Sequence, residues 1–181
     1  MARLFGSPIV RNSIRGELVE EIVALALEPD WEHCSGDWGS CDLRHRTSPL
    51  RIQVKQSAAR QSWHRAEPAA RTPRFSIAHK IGRWEGGDKW VPEPGRNAEI
   101  FLFAWHPRTD EGADHRDADQ WLFFVVPESR LPPTKSISLT GLLALAEPVP
   151  FAGLAAAVRI VVHHLESEME RIPVSPMAPS A

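Results

Sequence analysis

The sequence contains no apolar run near the roughly 18 residues that a membrane span needs, so no membrane partner is expected. Its opening, MARLFGSPIVRNSIRGE, carries too short an apolar stretch for a secretory signal. Cysteine is scarce, with two in 181 residues. Two cysteines build no disulfide framework, and a reducing, cytoplasmic setting is the default expectation. Lysine is scarce too, at 4 against 17 arginines. No internal repeat is visible. The glycines of 82–96 lack phosphate-loop spacing, and the acidic run from Asp110 to Asp119 lacks the calcium-loop pattern. These absences leave an ordinary soluble composition, 43% hydrophobic and 24% charged. That length is one domain's worth. One domain over 1–172 is expected, followed by a disordered tail at 173–181 (VSPMAPSA preceded by Pro).

The net charge of −2 hides an uneven distribution. Residues 1–42 carry −5, residues 43–90 carry +8 and residues 91–181 carry −5. A basic middle on an acidic chain suggests one face for a polyanion. The same cations are equally able to pair with the acidic flanks. Trp63, Trp84 and Trp90 lie in the basic stretch, where aromatics can stack bases or simply fill a core.

The periodicity predicts a helix over 8–28, with Ser7 as its cap, Pro8 at its first position and Glu28-Pro29 as its end. Leu18, Ile22, Leu25 and Ala26 are its expected inner face. Short strands are expected at 31–34, 40–46 and 50–56, and a short helix at 57–66. A further strand is expected at 74–79, and a long loop at 82–97. The continuous apolar runs 98–106 and 120–126 read as buried strands. A short helix should start at Ser138. A longer one should run from Pro150 to about Ile172, with Leu154, Val158, Val162 and Met169 among its inward residues. This order of elements reads as α/β or α+β, with a mixed β-sheet flanked by helices.

One constellation carries chemistry. Asp42 stands at the start of the second strand, and Gln53-Val54-Lys55 lies on the third. Residues two apart on a strand share a face, so Gln53 and Lys55 point the same way. The short link 47–50 allows a hairpin that sets Asp42 beside both. A carboxylate, an amide oxygen and a lysine can hold a hard cation and orient a water. Choosing lysine at 55, in a chain that favours arginine, adds weight. By spacing alone, Asp42 and Lys55 equally describe a surface ion pair.

The helix RGELVEEIVALAL, the SCD at 40–42 and RIQVKQSAARQSW at 51–63 together resemble the PD-(D/E)XK, or restriction-endonuclease-like, superfamily. The wider stretch to FSIAHK at 75–80 looks like a bacterial branch of it, and the resemblance covers residues 11–80. It implies a Mg²⁺-dependent (or Mn²⁺-dependent) hydrolase that cleaves DNA phosphodiesters. Asp42 would be a metal ligand and Lys55 would orient or activate the water. Gln53 stands where the superfamily has Asp or Glu. A glutamine offers a neutral oxygen and removes one negative charge, so Mg²⁺ should bind more weakly. A site that has lost cleavage and still binds nucleic acid fits the same pattern. Superfamily members often use a glutamate from the preceding helix as a ligand. Glu20 sits at the edge of the apolar strip, roughly 60° from Glu17 on a helical wheel, and is the expected ligand, with Glu17 second. Arg44, Arg51, Arg60, Arg65 and Trp63 are the expected nucleic-acid contacts. Many nucleases of this type pair to cut both strands, so the resemblance also implies a homodimer, although no seam is legible.

His33, Cys34, Cys41 and His45 offer zinc-ligand chemistry in a spacing that fits no standard site. Two small buried cysteines is the simpler expectation.

Overall fold

A computed structural model describes residues 6–34, 41–63, 72–85 and 89–171. The chain enters through a helix, α1 (Asn12–Leu27). It begins four residues later than the sequence suggests. Arg11, not Ser7, occupies the N-cap and supplies no side-chain cap. Its buried face also differs from expectation. Val19, Ile22, Val23 and Leu27 are buried, whereas Leu25 is 62% exposed. The helix is apolar on several sides, so the wheel alone did not select the face. A cis Glu28-Pro29 bond follows its end.

Three strands then form an antiparallel meander: β1 (Trp31–His33), β2 (Leu43–His45) and β3 (Arg51–Ala58). β3 extends through the start of the helix expected at 57–66. Residues 62 and 63 form a turn, and 64–66 lie outside the described residues. β4 (Arg74–Ser76) follows. The expected loop at 82–97 instead contains an antiparallel hairpin, β5 (Arg83–Glu85) with β6 (Lys89–Val91), in which Trp84 and Trp90 are register partners. The two apolar runs become β7 (Ile100–His106) and β8 (Leu122–Pro127). After them come β9 (Ser136–Ser138), α2 (Leu139–Leu143), β10 (Val149–Pro150) and α3 (Phe151–Arg171). Ser138 caps α2, its Oγ accepting from the Gly141 N–H at 3.1 Å.

The main sheet has six strands in the order β1-β2-β3-β7-β8-β10. β3 and β7 pair in parallel; every other neighbouring pair is antiparallel. This is the mixed sheet flanked by helices of the α+β class that the sequence led us to expect. A separate two-stranded ribbon, β4 with β9, packs on one face of it.

Residues of alternate parity on the central strands feed two cores. Ile52, Val54, Leu102, Ala104 and Phe123 pack with Val19, Val23, Leu154 and Val158, joining the sheet to α1 and α3. Phe101, Phe103, Phe124 and Val126 pack on the opposite face with Phe75, Ile77, Ile137 and Leu142. Burial on both faces explains why 98–106 and 120–126 are continuously apolar. Each fully buried side chain of this size contributes about 1.5–3 kcal/mol. On α3, Leu154, Val158 and Val162 are buried at four-residue spacing, whereas Met169 is 45% exposed. No helix among the described residues is long and apolar enough to cross a membrane.

Cys34 and Cys41 are joined in a disulfide. This corrects the expectation of two reduced core cysteines and removes the cysteine argument for a reducing compartment. It also takes both thiols out of the suggested zinc set. The tail at 173–181 lies outside the described residues.

Candidate active site

β2 pairs with β3 through Leu43 opposite Ile52 and Arg44 opposite Arg51. Asp42 comes one residue before β2, and its N–H still donates to the Ile52 carbonyl at 3.0 Å. There the backbone of β2 leaves the sheet and the Asp42 side chain takes over. Its Oδ2 accepts the Val54 N–H at 2.6 Å and a second hydrogen bond from Gln53 Nε2. A carboxylate that replaces a ladder carbonyl satisfies an otherwise orphaned donor. It also fixes the Gln53 amide, because turning its oxygen toward Asp42 would oppose two acceptors. Gln53 Oε1 therefore points away from Asp42 and has no protein partner among the described residues.

Lys55 follows two residues along β3. Gln53 is the register partner of Phe101 and Lys55 that of Phe103, so both leave the face that carries the second core. Burial pushes the Lys55 ammonium pKa down, against the opposing pull of Asp42; the Lys80 charge lowers it further and Glu20 raises it. Glu20 is half-buried on α1. Its carboxyl is pushed up to about 7, first by burial and then by the negative charge of Asp42, with Lys55 acting in the opposite direction. Glu20, Asp42 and Lys55 thus lie within one another's electrostatic reach, and Gln53 is bonded to the second of them. Glu17 and Glu21 are exposed on the same helix; Glu21 faces His33, with 3.3 Å between Oε1 and Nε2.

As ligands, the cluster offers two carboxylates and one neutral amide oxygen. Hard divalent cations favour such oxygen donors. The set is one anion short of a strong site, and no group of three or more His, Cys, Asp or Glu able to hold a metal occurs among the described residues.

The expected nucleic-acid contacts fare differently. Arg44 donates to Glu32 Oε1 at 2.7 Å, and Arg46 lies 2.9 Å from the other oxygen of the same carboxylate. Arg51 donates three times to Glu99, twice from its side chain and once from its backbone. Arg60 Nη1 donates to the Asp110 carbonyl at 2.6 Å. Trp63 is 60% exposed, and Arg65 lies outside the described residues. Part of the basic middle is thus neutralised internally by the acidic flanks.

A second polar cluster escaped the sequence reading. Arg15 is buried, and its guanidinium donates to Gln56 Oε1, Gln61 Oε1 and Asn12 Oδ1 at 2.7, 2.8 and 2.7 Å. Burial lowers its pKa to about 10. His106 and His115 are fully buried beside Trp121. His106 Nε2 meets the Asp114 carbonyl at 3.2 Å, while its Nδ1 is buried with no hydrogen-bond partner among the described residues. The parity of Gln56 with Val54 was the one available signal, since it places an amide on the face of the first core. Comparison with family models, with curated proteins and with solved structures finds no match.

Proposed function

We propose that Glu20, Asp42, Gln53 and Lys55 form a Mg²⁺-dependent site that hydrolyses DNA phosphodiester bonds. The observation that carries this reading is the Asp42 junction. One carboxylate ends the β2–β3 ladder and fixes Gln53, two residues from Lys55 on the adjacent strand. Asp42, the Gln53 oxygen and Glu20 would hold the cation. A bound Mg²⁺ would supply Lewis-acid polarisation of a phosphate oxygen. The residues themselves do the rest. Burial keeps Lys55 closer to neutrality than a surface lysine, so its Nζ can hold or pass on the proton of an attacking water. Glu20, protonated up to about pH 7, can release a proton as a cation approaches.

A second reading has an observation of its own. The Gln53 amide already satisfies Asp42 by direct hydrogen bonding, as in a site that keeps its shape after losing its metal. The protein would then bind nucleic acid without cutting it.

Gln53→Glu distinguishes the two readings. It sets a second carboxylate against Asp42, which costs stability until a cation or proton intervenes. Calorimetric titration should show Mg²⁺ binding about tenfold more tightly to the variant than to wild type, and plasmid nicking should move to lower metal concentration. Asp42→Ala should abolish the gain. Lys55→Ala should spare metal binding and remove cleavage. Equal Mg²⁺ binding in wild type and Gln53→Glu, with neither cutting DNA, defeats the enzyme. Binding of DNA that weakens steeply with salt would then leave the second reading standing.

A further inference from the structure

Asp42 is held from both neighbouring strands. Its carbonyl accepts from the Cys34 N–H at 2.9 Å, and its N–H donates to the Ile52 carbonyl at 3.0 Å. Its carboxylate accepts from Val54 and Gln53 of β3. Extending the β1–β2 register, in which Glu32 faces Arg44 and His33 faces Leu43, sets Cys34 opposite Asp42. The disulfide joins Cys34 to Cys41, the residue that precedes Asp42. One covalent bond thus closes the last rung of the β1–β2 ladder and fixes the backbone from which the Asp42 carboxylate leaves. Its effect is local for three reasons. β1 is an edge strand of the described sheet. Neither cysteine packs in either core cluster among the described residues. The rest of β1 is secured without it: Trp31 is buried in the first core, and Glu32 pairs with both Arg44 and Arg46. Opening the ring therefore frees one rung and leaves the others. The two cysteines are the chain's whole complement, so no other thiol of this chain can exchange with the bond.

We propose that the Cys34–Cys41 disulfide is a redox switch, which holds the Asp42 carboxylate in place when oxidised and releases it when a dithiol reduces the bond. Cys41 is 7% exposed and Cys34 is the more open of the two, so Cys34 Sγ is the atom that a reductant reaches. A thiolate of the dithiol attacks Cys34 Sγ. The S–S bond breaks, its electron pair leaves on Cys41 Sγ, and that sulfur takes a proton from water. The second thiolate of the dithiol then attacks the dithiol's own sulfur in the mixed disulfide. Cys34 leaves as a thiolate and is protonated in turn. Two electrons and two protons have passed to the protein, and the dithiol has become a disulfide. That release of Asp42 also stops cleavage rests on the phosphodiester reading above; the release itself does not.

The test uses the full chain labelled with ¹⁵N, with a metal chelator present and dithiothreitol as the dithiol. The Val54 N–H and the Gln53 side-chain amide both donate to Asp42 Oδ2 from β3, so their resonances report where the carboxylate stands. The Ile100 and Leu102 amides of β7 report on the fold. Reduction should move the Val54 and Gln53 amide protons upfield, as loss of a charge-assisted hydrogen bond does, and leave Ile100 and Leu102 in place. Reoxidation should restore both positions. Cys34→Ser with Cys41→Ser should place Val54 and Gln53 where the reduced protein places them, and dithiothreitol should then change nothing. Five results each overturn the switch: Val54 and Gln53 unmoved by reduction, all four amides shifting together, positions not restored by reoxidation, a disulfide that the folded protein does not surrender to dithiothreitol, or a double-serine variant that still responds to it. Because the metal is chelated, failure here is separate from failure of the Mg²⁺ titration.

Discussion

At the scale of single residues, the buried cluster around Arg15 shows how a charge is housed without a counter-ion among the described residues. Three amide oxygens stand where a carboxylate would be expected, each hydrogen-bonded to the guanidinium. Dividing a buried charge among neutral acceptors satisfies its donors. It also leaves a positive field near two histidines. His115 Nδ1 accepts from the Val10 N–H at 3.1 Å, and Nε2 meets the Arg60 carbonyl at 3.1 Å, so the neutral Nε2–H tautomer fits both. Burial, with Arg15 and His106 adding to it, pulls the His115 pKa down to about 4. Its pKa is lower folded than unfolded. The unfolded chain therefore takes up a proton near pH 6.5 that the folded chain refuses until about pH 4. Stability from this group is present above pH 6.5 and drains away as pH falls toward 4. Urea unfolding of wild type should lose up to about 3 kcal/mol across that window from His115. His115→Gln should be less stable at pH 8 and show a flatter slope between pH 6.5 and 4. An unchanged slope would show that His115 does not carry the effect.

At the scale of elements, the β1–β2 connection determines where Asp42 stands. The Cys34 N–H donates to the Asp42 carbonyl at 2.9 Å, and Cys41 is bonded to Cys34 immediately before Asp42. The ring spans a sequence separation of 7. Closing so short a ring removes about 2–3 kcal/mol of unfolded-chain entropy. Reductant, or Cys34→Ser with Cys41→Ser, should lower the unfolding free energy from urea titration by that amount, moving the midpoint down, and weaken Mg²⁺ binding at Asp42. A midpoint indifferent to reductant would mean the ring contributes nothing to stability. The elements were legible to different degrees. β7, β8 and α3 announce themselves by unbroken or four-spaced apolar residues, because burial on both sheet faces or on one helix face leaves that mark. The Asp42–Gln53 pairing was legible because strand parity and a four-residue link fix a hairpin register. The disulfide was not, because a pair seven residues apart looks the same in sequence whether oxidised or reduced. Nor was the hairpin of β5 and β6, since its glycines and prolines read as loop. Arg44 and Arg51 looked like contacts for phosphate because their partners Glu32 and Glu99 come from other strands or loops, 12 and 48 residues away.

At the scale of the whole molecule, the central seam between β3 and β7 is parallel, with seven register pairs from Ile52–Ile100 to Ala58–His106. Parallel neighbours cannot be joined by a tight turn, and residues 59–99 lie between them. Two units on either side are assembled from nearer partners: α1 with the β1–β3 meander, and β7 with β8, β10 and α3. Closing the long loop before the seam rewards it is slow, so the seam is expected to form late in folding. Leu102, fully buried in the seam, tests the order. Leu102→Ala should cost about 2–5 kcal/mol, expressed mainly as faster unfolding in stopped-flow chevrons rather than slower refolding. Refolding slowed in full proportion would place the seam in the nucleus instead. If the seam closes last, the kinetics separate the candidate site residues from the rest of the chain. Glu20, Asp42, Gln53 and Lys55 all belong to the early-folding meander unit, so a nascent chain would present its charged cluster before the second half exists to cover it.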